Sequence, residues 1–108
     1  MFVSIKGSPY ARFLRALDLG KLTLVYAAAA ELPQLNLDDG LRVLALMAEQ
    51  DRARFDRAAV RWVARLGLER RLGIEDLRAA LAGCELLVSH PAEGRAVLER
   101  LMREASAA

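Results

Sequence analysis

Few side chains in these 108 residues are suited to covalent chemistry: there is one cysteine, Cys84, and one histidine, His90. A Cys–His pair works when the imidazole lies within hydrogen-bond reach of the thiol and takes its proton. Cys84 falls on an apolar repeat, however, and His90 precedes Pro91 at an expected helix start. A thiol in apolar surroundings has a raised pKa and little nucleophilicity. The pattern therefore predicts a core thiol and a capping or surface imidazole. The acidic pairs Asp38-Asp39 and Glu75-Asp76 have the residue types for acid–base work or a cation site. Both fall where helices should begin, and there negative charge offsets unpaired backbone N–H groups. A single cysteine excludes an intrachain disulfide and any multi-cysteine metal site. The seven glycines are scattered singly, so no phosphate-cradling loop is formed. The sequence predicts no catalytic, cofactor-binding or metal-ligating residue, no cofactor, and a protein that is not an enzyme.

One polar pattern remains. Arg54, Arg57, Arg61 and Arg65 are spaced three, four and four, so at about 100° per residue they share a narrow helical face. That face is centred roughly 135° from the one holding Phe55, Ala59, Trp62, Val63 and Leu66. It reads first as the solvated side of an amphipathic helix. It is also the candidate docking face, for an acidic protein partner or for nucleic-acid phosphates, both of which suit the planar guanidinium. Interleaved exposed aromatics for base stacking are missing; Trp62, Phe55 and Tyr26 read as core. A helix-turn-helix over Leu68–Ala82, with Gly73 in its turn, is disfavoured. Glu69 stands where that motif wants a small residue, and Glu75-Asp76 would open the recognition helix with charge that repels DNA.

The elements that must carry this face follow from composition. Hydrophobic residues make up 55% of the chain and charged residues 28%, with the apolar excess in the strong helix formers Leu and Ala. This predicts one all-α domain. Net charge is +2, but residues 51–72 hold seven arginines against three acids and residues 73–108 hold four against six. Such asymmetry can mark a nucleic-acid surface, while the overall balance is too near neutral to require one. No run approaches the roughly 18 apolar residues of a membrane span. The N-terminus lacks an apolar core of signal-peptide length, so the expected compartment is the cytoplasm.

Leu41–Leu66 is the organising stretch. Leu41–Ala48 is apolar on every side and must be covered all round; the segment after it is apolar on one side only. A turn is expected at Glu49–Arg52, with Asp51 as a new cap. Residues 1–8 form an N-terminal arm in which Phe2, Val3 and Ile5 are apolar, and Ser8-Pro9 starts the first helix, ended by Gly20. Leu22–Leu32 makes a second helix, stopped by Pro33, with Ala27–Ala30 inviting a close helix crossing. Asn36, Asp38 and Asp39 open a third, which runs to about Gln50. A fourth covers about 53–71. Gly73 separates it from a fifth with a seam at Ile74, Leu77, Leu81, Cys84 and Val88, and Ser89-His90-Pro91 opens a sixth. The domain spans 9–105, and 106–108 should fray.

A weak echo at about 36 residues aligns Tyr26 with Trp62, Leu41 with Leu77, Arg42 with Arg78 and Glu49 with Glu85. It would relate two hairpins, 22–50 and 53–86, flanked by a helix at each end. The period suits stacked helical hairpins such as tetratricopeptides, but their signature residues are absent. The expectation is a compact all-α bundle of five or six short helices. Its expected role is a non-catalytic interaction or adaptor module, with an unidentified protein partner or a second copy as its ligand. The alternative is a small nucleic-acid-associated regulator using Arg54, Arg57, Arg61 and Arg65. A membrane is not an expected partner.

Overall fold

Proline has no N–H to leave unpaired in a first turn, and serine can cap the amides that are. The Ser8 hydroxyl accepts from the Ala11 amide and Pro9 opens α1. A computed structural model describes the backbone of residues 8–107 and the side chains of 8–105. It contains α1 (Pro9–Leu19), α2 (Leu22–Ala29), α3 (Leu37–Gln50), α4 (Arg52–Arg70), α5 (Ile74–Ser89) and α6 (Pro91–Ala107). The all-α bundle of six helices is as expected, and among the described residues there is no strand. The arm with Phe2, Val3 and Ile5 lies outside the described residues. At the other end, α6 continues through Ser106 to Ala107. No helix of the described residues is long and apolar enough to cross a membrane.

The chain turns at Asp51, as α3 requires. From Gly40 to Ala48 no residue of α3 is exposed, because α2, α4, α5 and α6 all pack against it. Asp51, at φ −146° and ψ 66°, is the only residue between α3 and α4. His90, at φ −140° and ψ 75°, does the same between α5 and α6. Two antiparallel hairpins with matching corners result, α3–α4 and α5–α6, and α1–α2 forms a third around Gly20, whose φ of 67° suits glycine. The three hairpins make a body 51 × 30 × 20 Å across. The corners at Asp51 and His90 join α3 to α4 and α5 to α6, whereas the sequence echo at about 36 residues pairs the segments 22–50 and 53–86, one helix earlier.

Two further expectations are corrected. α2 ends at Ala29 rather than Leu32, its chain tightening into i to i−3 bonds from Glu31 to Ala28 and from Leu32 to Ala29. Of the Ala27–Ala30 run, Ala28 alone is buried, while Ala27 and Ala30 face out. The α5 seam is also misplaced. Its buried residues are Ala80, Gly83, Cys84 and Leu87, whereas Ile74 and Leu81 are exposed. The core face is turned by about 90° from the predicted seam.

Glycine explains that rotation. A Cβ on Gly94 would meet the Leu87 nitrogen at 2.5 Å and the Gly83 carbonyl oxygen at 2.8 Å. α5 and α6 thus touch backbone to backbone, and the face of α5 around Gly83 is the one turned inward there. The larger Ile74 and Leu81 are left outside.

Gly94→Ala should destabilise the fold by about 1–3 kcal/mol through this overpacking, although helix propensity alone would stabilise it by about 1 kcal/mol. Gly67→Ala meets only the tip of Leu77, and should be much milder. Urea unfolding of both variants gives the comparison; a more stable Gly94→Ala protein would contradict the close contact.

Candidate docking face on α4

α4 carries its apolar stripe inward as its spacing predicts: Phe55, Ala59, Trp62, Val63 and Leu66 are its buried residues. The Trp62 indole N–H donates to the Leu37 carbonyl at 3.0 Å within the core. That bond fixes the rotation of α4 about its axis, and so sets where the arginines point. Arg54, Arg57 and Arg61 are exposed and Arg65 is half-buried.

The four are not equivalent. Arg65 is paired with Glu69 one turn on. Arg54 lies 3.7 Å from the Asp51 carboxylate and places its guanidinium 5.9 Å from the centre of the Tyr26 ring. Arg57 and Arg61 have no hydrogen-bond or ion-pair partner among the described residues.

Beside them is a cleft of about 460 Å³, lined by Arg54, Arg57 and Arg61 together with Tyr26, Met47 and Ala58. Tyr26 comes from α2 and Met47 from α3, so the stripe forms one wall of a groove with an apolar floor. The Tyr26 hydroxyl donates to Asp51 at 2.7 Å. Burial raises the phenol pKa, the bond to Asp51 raises it further, and Arg54 opposes both. The groove continues past Arg54 toward Lys21 at the start of α2. Leu68, 83% exposed, falls seven residues beyond Arg61 and so within about 20° of the same line on α4.

Sequence spacing located the arginines but not the floor, because Tyr26 and Met47 reach it only through the corners at Gly20 and Asp51. Leu68 continues the line of the stripe in the sequence as well, but an uncharged residue gives no charge pattern by which to find it.

The other sequence candidates are not brought together. Cys84 is buried, and burial pushes its thiol up to about 11, with Glu85 adding to the effect. His90 is exposed, its Nδ1 3.0 Å from the Ser89 hydroxyl, with about 9 Å of helix rise between it and Cys84. Asp39 accepts from the Tyr10 hydroxyl at 2.8 Å, while its own backbone N–H donates to the Asn36 side chain that caps α3. Glu75 pairs with Arg78. Among the described residues no group of three or more His, Cys, Asp or Glu is placed to hold a metal ion.

The fold and this face define an all-α stack of three antiparallel hairpins with a basic outer wall. Compared with known protein families, curated proteins and solved structures, the chain matches none.

Cys84 should react slowly with alkylating reagents at pH 8, at least about tenfold slower in the native protein than in urea. Its thiol contributes stability that is complete below the ordinary thiol pKa and is lost as pH rises through about 11. Unfolding curves at pH 8 and pH 11 for the native protein and Cys84→Ala measure this; fast native alkylation would contradict the burial.

Proposed function

We propose that the domain is a non-catalytic protein-interaction module that works through the outer faces of α4 and α5 and associates with a second copy. The observation that carries this reading is apolar surface left open beside α4. Val60 is 59% exposed and Leu81 42% exposed, and they face each other across one cleft with Val88. Ile74, 69% exposed, lies seven residues before Leu81 and so on the same line of α5. Contiguous apolar surface of this kind marks interaction sites more often than scattered single side chains do. Charge suits a second copy: the cleft is also lined by Arg52, Asp56 and Glu85, a mixed-sign rim that does not repel itself.

Nucleic-acid binding is the second reading, and the unpartnered Arg57 and Arg61 favour it. Against it stands the apolar floor of their groove, which a phosphodiester chain leaves empty. Tyr26, the aromatic that could stack on a base, already has Arg54 over its ring.

Light scattering coupled to size exclusion should give a mass between monomer and dimer that rises with concentration, as expected for a small interface. Val60→Asp with Leu81→Asp should return the monomer while leaving the helical circular dichroism intact. A wild-type monomer at high micromolar concentration would remove self-association from the reading. Oligonucleotide binding that weakens steeply with salt and is lost in Arg57→Glu/Arg61→Glu would replace it with the second.

A further inference from the structure

We infer that the outer wall of α4, from Arg54 to Leu68, docks an acidic amphipathic helix of a partner protein, with carboxylates on Arg54, Arg57 and Arg61 and an apolar side chain on Leu68. The inference rests on the interaction reading above but concerns a different face of α4.

Spacing supports a helix as the occupant. Arg54, Arg57 and Arg61 rise by about 4.5 and 6 Å along α4. A second helix presents its own side chains at three- and four-residue intervals with the same rise. An extended chain presents one face about every 6.7 Å, and over two intervals it runs past the arginines by about 3 Å.

Chemistry supports an acidic and amphipathic one. The wall and its continuation carry Lys21, Arg54, Arg57 and Arg61, and the acid lining that groove, Asp51, already accepts from Tyr26 and faces Arg54. Guanidinium groups bind carboxylates in a forked geometry, and Arg57 and Arg61 have that geometry unused. Ala58, half-buried beside Arg57 and Arg61, takes a small apolar side chain from the partner's adjacent turn. Leu68 supplies an apolar contact about 10 Å beyond Arg61. No three of this chain's own fourteen acids recur at three- and four-residue intervals to put three carboxylates on one helical face. That favours a partner of a different sequence over a second copy.

The probe is a synthetic helical peptide with Glu at three positions spaced three and four apart and Leu seven residues beyond the last. It is made in both sequence orders, labelled, and titrated with the full chain by fluorescence anisotropy. One order should bind, and binding should weaken at least about tenfold when its Glu residues become Gln, and likewise for Arg57→Glu/Arg61→Glu protein. Leu68→Asp should weaken it severalfold. Circular dichroism melts of the variants check that they remain folded, and Arg57 and Arg61 touch nothing whose loss would unfold the chain.

The inference is overturned if neither order binds, if the Gln peptide binds equally well, or if an oligonucleotide of equal charge binds more tightly than both. Loss of wild-type self-association on adding the peptide would show that it occupies the apolar cleft instead, and would also overturn it. Should self-association persist while no peptide binds, this inference falls and the interaction reading stands.

Discussion

A helix with no exposed residue over two turns needs neighbours on every side, and a chain of this length can supply them only by doubling back at once. α3 is such a helix between Gly40 and Ala48, and Asp51 is where the doubling back occurs. Four long-range hydrogen bonds hold the helices it joins, three of them close to the corner and the Trp62 bond toward the far end of the α3–α4 hairpin. Tyr26 donates to the Asp51 carboxylate, Trp62 donates to the Leu37 carbonyl, and the Gln50 amide donates to the Gly20 carbonyl while its oxygen accepts from Leu22. A net hydrogen bond contributes only about 1 kcal/mol. Their larger effect is geometric, since they fix α2 and α4 in register against α3 while apolar burial does most of the stabilising.

The surface ion pairs are of lesser weight. Arg12–Glu31 joins α1 to the chain beyond α2, and Arg42–Asp18 joins α3 to α1. Both involve partly or largely exposed side chains, and such pairs contribute at most about 1 kcal/mol each. The glycine contact between α5 and α6 is more decisive, because backbone cannot give way as a flexible side chain can. It chooses which face of α5 is core.

Much of this was written locally in the sequence. Proline and glycine mark the ends of α1 and the start of α6, the arginine-free side of α4 is its buried side, and the all-round apolar run is the enclosed helix. What could not be read depends on partners distant in the chain. Asp51 has the residue type of a helix cap and sits at the cap position, yet its side chain makes no cap bond to α4; it is taken by Tyr26, 25 residues away. Periodicity ranked α5 by its largest apolar residues, whereas packing turned in the face around Gly83, with Ala80, Cys84 and Leu87 beside it. The arginine wall was visible as a spacing. Its apolar floor was not, because two other helices supply it.

The residues that shape the scaffold and those that face outward are almost disjoint sets. Gly94 lies against backbone, where a side chain has no room, and Trp62 is bound to backbone. Arg57, Arg61, Val60 and Ile74 touch little that holds the helices together. Substitutions at those outer positions would leave the architecture standing. The same framework can therefore be re-addressed to a new ligand over evolutionary time, or by deliberate redesign, with few compensating changes inside.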